Sequence, residues 1–429
     1  MKLTNEMQEA LQIIAESTEN VFITGKAGSG KTTLLRYLIA SSLKNCIVTA
    51  PTGVAAINAG GVTLHSLFEL PLGPVTPYDR LDHKMSKYKR ELLKKMDILI
   101  IDEISMVRPD VIDVINRKLR YVCGTDKPFG GKQIVMFGDL FQLPPVVKHN
   151  DRQILLPFYD DFYFFNAYAW KEVGFCIVEL TKIFRQSDKS FIKILNHIRN
   201  YKVKSDDLDV LSELKDKKES QKYDTNHIHI CTHRKTVEEI NMKMLGTEGL
   251  FEYAVEIHDK FPESSMPCDA KLKVRDGARV MALTNDTQKG YYNGMLGTVL
   301  HCEPNIITVE MDNGHVINFE RYTWSNNQYV LEDNKVKAVE VGSCMQFPLT
   351  LAWAITIHKS QGLTFDNIVL HVTRAFCPGQ IYVALSRCRT LNGIMLDGNI
   401  TRKMIMPDYS LIEFEKVYKH NDYRFGKNA

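Results

Sequence analysis

Residues 21–33 read Val-Phe-Ile-Thr-Gly-Lys-Ala-Gly-Ser-Gly-Lys-Thr-Thr. The first four are apolar or β-branched and read as a buried strand. The run Gly25-Lys26-Ala27-Gly28-Ser29-Gly30-Lys31-Thr32 then meets G-x-x-x-x-G-K-[ST] at every fixed position, and Leu34, Leu35 and Leu38 follow at helical spacing. Strand, glycine-rich loop and helix in that order are the context a phosphate-binding P-loop requires. The glycines let main-chain N–H groups approach phosphate oxygens, and the helix N-terminus adds partial positive charge. Gly28, Ser29, Gly30, Lys31, Thr32 and Thr33 are the expected nucleotide contacts. Lys31 belongs on the β/γ-phosphates and the Thr32 hydroxyl on Mg2+, so the implied ligands are ATP and Mg2+.

A nucleotide-bound metal also calls for a carboxylate. Residues 97–105 read DILIIDEIS, in which 98–101 form a continuous apolar run suited to a central parallel strand. Asp102 and Glu103 stand at its carboxyl end, where open α/β sheets place ligands. Asp102 is the expected direct or indirect Mg2+ partner, and Glu103 the group that orients and deprotonates the attacking water. Residues 134–145, IVMFGDLFQLPP, repeat the pattern with Gly138-Asp139 at the strand end and Gln142 before two prolines. The uncharged Gln142 amide can hydrogen-bond a γ-phosphate or the water that attacks it.

A length of 429 residues suggests about three domains of roughly 150 residues each. Charged residues at 24% and the set AVILMFWYC at 44% are globular values, which argues against disorder and fibrous repeats. The net charge, 54 − 51 = +3, is too weak to point to a nucleic-acid partner, so any basic footprint is local. No apolar run is long enough to span a membrane. The N-terminus has neither a signal-peptide core nor transit-peptide character, so the expected location is cytoplasmic and nucleoid-associated, with no targeting segment. The 9 cysteines include no C-x-x-C pair and are expected to be reduced thiols.

The motifs GKAGSGKT (25–32), APTGVAA (50–56), TLHSLF (63–68), IDEISM (101–106), GDLFQLPPV (138–146), FRQ (184–186), IHKSQGLTFD (357–366) and QIYVALSRCR (380–389) follow the order of the superfamily 1 helicase set. Together they most closely resemble the petite-integration-frequency (PIF) helicases of superfamily 1B, relatives of the RecD-like enzymes. KPFGG (127–131) is similar to that family's signature segment. The resemblance covers nearly the whole chain. It implies an ATP-driven 5′→3′ DNA helicase of α/β class with two RecA-like P-loop NTPase domains, parallel sheets with flanking helices. The first domain is expected at 1–63 and 97–179, the second at 180–269 and 346–429. A small wedge is inserted at 64–96 and a small β-barrel at 270–345, where Asn313-Gly314 is a hairpin signal.

The same resemblance assigns roles to further residues. Gln8 would read adenine through its amide. Asn5-x-x-Gln8 also fits a capping box, as do Thr236 and Glu239. Arg185 and Arg387 would stabilise the γ-phosphoryl group from the second domain, a contribution that can reach about 10³–10⁵ in rate. Pro51, Thr52 and Gly53 lie where a capped helix can bind a DNA phosphate. Thr63, His65 and Ser66 extend that track, and Phe68 is the candidate base stacker. In the second domain His358, Lys359 and Ser360 would hold the next phosphates, while Gln361 and Gly362 link them to the nucleotide. Residues 84–95 carry six basic side chains, Lys84, Lys87, Lys89, Arg90, Lys94 and Lys95, against one Glu91, and form the candidate duplex-splitting wedge.

Two tempting features are discounted. His227, His229, Cys231 and His233 alternate along one strand, and same-face residues sit roughly 7 Å apart, too far to share one zinc ion. The aromatic run 158–170 is expected as buried core. The expected partners are single-stranded DNA and DNA forks, with G-quadruplex DNA and dimerisation on DNA left open and a monomer as the default. Three alternatives stand beside this reading: an RNA-directed motor of the same superfamily, an ATP-gated strand-binding protein that does not translocate, and a P-loop kinase or signalling ATPase.

Overall fold

The computed structural model describes residues 3–71, 73–81, 85–220, 227–263, 266–286, 288–332, 335–372 and 375–420. The chain divides into two compact units, one of residues 1–184, 327–341 and 408–429, the other of 185–326 and 342–407.

Unit 1 is built on six parallel strands, β1 (Asn20–Gly25), β2 (Cys46–Ala50), β3 (Val62–Thr63), β4 (Ile98–Ile101), β5 (Gln133–Gly138) and β6 (Phe175–Leu180), in the order β3-β2-β4-β5-β1-β6. The central strands are apolar on both faces, as a parallel sheet covered by helices on each side requires. Helix α1 (Asn5–Glu16) puts Met7, Ala10 and Ile14 into the core, and α2 (Lys31–Ser41) adds Leu34, Leu35 and Leu38. Short helices α3 (Gly53–Ala59) and α4 (Leu64–Phe68) follow β2 and β3. Helices α5 (Lys87–Lys95), α6 (Pro109–Cys123), α7 (His149–Leu155) and α8 (Tyr168–Glu172) complete this part. The KPFGG segment tucks against α6: Phe129 is buried and its N–H donates to Asn116 Oδ1 at 2.7 Å. A Cβ on Gly130 would lie 2.7 Å from the Leu119 carbonyl oxygen.

The aromatic run is core, as expected. Phe22 meets Phe164 edge-on, and Trp170 stacks on Phe175 at 4.1 Å. The helix Tyr409–His420 departs from the expected boundaries, because it belongs to unit 1 and not to the second domain. Its Phe414 stacks on Phe165 at 4.2 Å, and Tyr163 Oη donates to Asp408 Oδ2 at 2.8 Å. The aromatic run thus has a partner more than 200 residues downstream.

Unit 2 opens with α9 (Lys189–Arg199) and α10 (Ser205–Ser220). A four-stranded parallel sheet follows, with β18 (Ala354–Thr356), β7 (Ile228–Cys231), β19 (Ile368–His371) and β20 (Ile394–Asp397) side by side in that order. Its first strand is β7 (Ile228–Cys231), followed by α11 (Arg234–Leu245). The α11 N-cap is His233, so Thr236 is inside the helix and the expected capping box does not form there. Likewise α1 is capped by Thr4, one residue ahead of Asn5.

The β-rich region begins upstream of residue 270. Strands β8 (Phe251–Ala254) and β9 (Glu256–Asp259) pair with β10 (Lys271–Val274) and with β16 (Lys335–Gln346), the partner of β15 (Tyr322–Glu332). Strands β11 (Arg279–Ala282), β12 (Leu296–Cys302), β13 (Ile307–Met311), β14 (Val316–Phe319) and β17 (Leu349–Leu351) form a five-stranded antiparallel sheet. Tyr253, Leu272, Val280, Val309 and Phe319 share one apolar core, so β8 and β10 pack with that sheet. Asn313-Gly314 turns β13 into β14, as its sequence signals. The parallel sheet is completed by β18 (Ala354–Thr356), β19 (Ile368–His371) and β20 (Ile394–Asp397), with α12 (Gln380–Leu385) before β20. Among the described residues no helix is long and apolar enough to cross a membrane.

Candidate nucleotide and nucleic-acid sites

In unit 1 the P-loop leaves the carboxyl end of β1. Gly30 precedes α2 with φ +89°, a conformation that a side chain would strain. A Cβ on Gly25 would meet the Leu180 carbonyl and Ser29 Oγ, each at 2.7 Å, so this end of the loop admits only glycine. Lys31 Nζ donates to the carbonyls of Gly25 (2.6 Å) and Lys26 (3.2 Å), folding over the loop that it serves. Ser29 Oγ is buried without a hydrogen-bond partner among the described residues. A buried hydroxyl of this kind costs free energy unless a ligand satisfies it.

Strands β5 and β4 end on the same side. Asp102 and Glu103 leave β4, and the Glu103 N–H donates to Asp102 Oδ1 at 2.9 Å. Burial pushes the Asp102 carboxyl above its ordinary value, while the Glu103 N–H and the Lys31 charge pull it back. A divalent cation would supply the counter-charge, and this half-buried carboxylate beside a P-loop lysine is a donor set that fits Mg2+. Glu103 has φ +50° and ψ +44°, a left-handed backbone unusual for a side-chain-bearing residue. After β5, Gln142 Nε2 donates to Asp139 Oδ2 at 3.3 Å, and the Asp139 carboxylate also accepts the Phe141 N–H. Lys31, Asp102, Glu103 and Gln142 therefore stand at one edge of one sheet. Thr33 lies in the first turn of α2, next to Thr32. Gln8 is exposed on α1, two residues after Glu6, whose carboxylate accepts from Thr181 Oγ1 just beyond β6.

Strands β2 and β3 end in register at Ala50 and Thr63, and each runs into a short helix. Thr52 caps α3 by accepting the Ala55 N–H at 3.2 Å, and Thr63 caps α4 through the Ser66 N–H at 3.1 Å. Pro51, Thr52, Gly53, Thr63 and Ser66 are thus side by side at the sheet edge. His65 is held below its ordinary pKa by burial and then by Arg108. Phe68 corrects the expectation: it is 0% exposed, and its ring is core with no face to offer a base. Of the basic run, Lys84 lies outside the described residues. Lys89 binds Glu69 (2.9 Å) and the Ser66 carbonyl (2.8 Å), whereas Lys87, Lys94 and Lys95 are exposed on α5.

Unit 2 gathers a second group of expected residues. Arg185 donates to the carbonyls of Ser386 and Gly362, both at 3.3 Å. Arg387 is 1% exposed and donates to the carbonyls of Val383 (2.9 Å), Ser360 (3.3 Å) and Leu363 (3.4 Å) and to Ser386 Oγ (3.0 Å). His358 and Lys359 are exposed just past β18, and Gln361 follows them. Although His358 reaches solvent, partial desolvation of its imidazole, with Arg234 adding to it, lowers its pKa. Ser360 departs from its expected phosphate contact. It is fully buried, its hydroxyl donates to the Ile357 carbonyl at 2.7 Å, and its own carbonyl receives Arg387. Among the described residues, no group of three or more His, Cys, Asp or Glu side chains is placed to hold a metal ion. Instead His229 Nδ1 meets His371 Nε2 at 2.6 Å, and His371 Nδ1 meets Asp397 at 2.7 Å. Asp139 and Gln186 stand inside the GDLFQLPPV and FRQ motifs without being singled out by spacing, and the structure bonds them to Gln142 and to the carbonyls of Ser386 and Cys388.

The model of PIF1-like helicases matches residues 2–209. The ATP-dependent DNA helicase Pif1 of Bdellovibrio bacteriovorus is 33% identical over 98% of this chain and 93% of its own length. The chain belongs to the PIF1-like helicase family. A crystal structure of Bacteroides sp Pif1 with ADP-AlF4 is 66% identical and superposes with a TM-score of 0.95, covering 99% of this chain and 98% of that one. Bacteroides Pif1 bound to single-stranded DNA is 65% identical with a TM-score of 0.73, covering 99% and 98%. These likenesses place the parallel sheets of the two units in the RecA-like class.

Proposed function

We propose that this chain is an ATP-dependent DNA helicase that moves 5′→3′ on single-stranded DNA and opens duplexes at forks. A protein 65% identical binds single-stranded DNA, and we carry that substrate to this chain. One observation carries the coupling. β2, which leads to the Thr52 cap, lies beside β4, which leads to Asp102 and Glu103. Asp102 N–H donates to the Thr49 carbonyl at 2.8 Å, and Thr49 Oγ1 donates to the Ile100 carbonyl at 2.8 Å. The main chain beneath the hydrolytic carboxylates is thus bonded to the main chain beneath the strand-binding caps, so a shift at one is felt at the other.

In this reading Gly28, Ser29, Gly30, Lys31, Thr32 and Thr33 hold the phosphates, Gln8 reads adenine and Glu103 activates water. Thr32, with Asp102 in support, would hold Mg2+, which would supply counter-charge to the nucleotide phosphates. Gln142, Arg185 and Arg387 answer to the γ-phosphoryl group. Pro51, Thr52, Gly53, Thr63, His65, Ser66, His358 and Lys359 track the strand. Residues 64–96 act as the wedge through the exposed lysines of α5, and the β-rich insertion presses on the strand. The work is done on the nucleoid by a monomer, and G-quadruplex DNA is a further substrate class.

Forked DNA with either a 5′ or a 3′ single-stranded tail tests this. Strand separation with ATP only on the 5′-tailed fork is expected. Separation only on the 3′-tailed fork reverses the polarity, and preference for an RNA fork selects the RNA-directed reading.

A further inference from the structure

Gln186 closes the FRQ motif and is 5% exposed. Its Nε2 donates to the Ser386 carbonyl at 3.0 Å and to the Cys388 carbonyl at 3.1 Å. These are the two carbonyls that flank Arg387. An amide NH2 has two hydrogens, and both are committed to this stretch of main chain. The neighbouring Arg185 shares the Ser386 oxygen, at 3.3 Å. We infer that Gln186 is the positioning residue for Arg387, fixing the 386–388 main chain while the guanidinium group exchanges partners.

The physical case starts from what the arginines must give up. Arg387 and Arg185 are bonded to carbonyls of Ser360, Leu363, Gly362 and Ser386. To meet a phosphoryl group they must release some of these. If the main chain moved with them, the charge would arrive misplaced, and a misplacement of about 1 Å can cost about 100-fold in rate. The Gln186 clamp involves neither guanidinium, so it survives their release. A neutral, buried amide suits the task, because a cationic donor in its place would compete with the arginines for the phosphoryl group. This inference rests on the reading of Arg387 as a γ-phosphoryl contact.

The test uses the full-length chain, with single-stranded-DNA-stimulated ATP hydrolysis and binding of a fluorescent ADP analogue as readouts. Gln186→Leu keeps the approximate volume and removes both donors. We expect kcat to fall about 10–100-fold with the KM for ATP changed less than about threefold. The double variant Gln186→Leu/Arg387→Ala should be no slower than Arg387→Ala alone, because the amide acts through that arginine. Wild-type kcat in Gln186→Leu, or losses that multiply in the double variant, overturns the inference. Wild-type kcat in Arg387→Ala overturns the reading beneath it instead. Should Gln186→Leu fail to fold, Gln186→Met decides, because it keeps the length of the side chain and removes both donors, and wild-type kcat in it overturns the inference.

Discussion

The Gln142 amide is anchored by the Asp139 carboxylate at 3.3 Å, and Asp139 is itself fully buried at the end of β5. A carboxylate is not sequestered without partners, and here those partners include the Gln142 side chain and the Phe141 N–H. Asp139 therefore sets where the Gln142 amide points. Asp139→Asn should lower the kcat of DNA-stimulated ATP hydrolysis about tenfold or more, with nucleotide affinity nearly unchanged. Steady-state ATPase assays read this directly, and a variant with unaltered kcat would show that Gln142 needs no such anchor.

Glu103 combines a proposed catalytic role with a left-handed backbone at φ +50°. Two substitutions separate these properties. Glu103→Gln keeps the backbone and removes the base, so ATP and DNA should still bind while turnover falls by about 100-fold or more. Glu103→Gly also removes the base but relaxes the backbone, which should stabilise the fold by about 1 kcal/mol. Urea unfolding compares the two proteins. Equal stability would mean that the left-handed conformation stores no strain.

Phe68 reads as a base stacker in sequence and as core in the structure. Phe68→Ala should cost about 3–5 kcal/mol of stability, as large aromatic deletions do. DNA affinity per folded molecule should stay at the wild-type value below the melting transition. Fluorescence-anisotropy titrations at low temperature separate the two effects. A large affinity loss in fully folded protein would return the ring to the DNA track.

What the sequence could and could not disclose follows from the range of the interactions. The P-loop and the β4 and β5 strand ends depend on neighbours within a few residues, so local spacing reveals them, whereas spacing alone put the α1 and α11 caps at the wrong residues. The exposure of Phe68 depends on packing around α4, which TLHSLF alone does not encode. The docking of Tyr409–His420 on unit 1 depends on Phe165 meeting Phe414, a contact without a local signal. Ser360 shares its motif with the exposed His358 and Lys359, yet its own hydroxyl turns back to the Ile357 carbonyl, a direction that the motif does not encode. Gln186 was visible as a letter of FRQ, but its two acceptors lie about 200 residues away.

The proposed strand contacts differ in how they should respond to pH and salt. Burial lowers the pKa of His65, with Arg108 adding to the effect, and lowers that of His358, with Arg234 adding to it. Both shifts run downward from the ordinary value, so these imidazoles bind protons only below the usual histidine range and are neutral at pH 7. Neutral imidazoles can donate hydrogen bonds to phosphates but release no counterions. Lys359 carries a full exposed charge past β18. Lys359→Ala should therefore flatten the plot of log affinity against log salt for single-stranded DNA by about 0.7. His65→Asn and His358→Asn should leave that slope unchanged at pH 7.5 while weakening binding at every salt concentration. A wild-type slope that steepens between about pH 8 and about pH 6.5, and no longer does so when both histidines are replaced, would mean that the imidazoles bind the strand as cations.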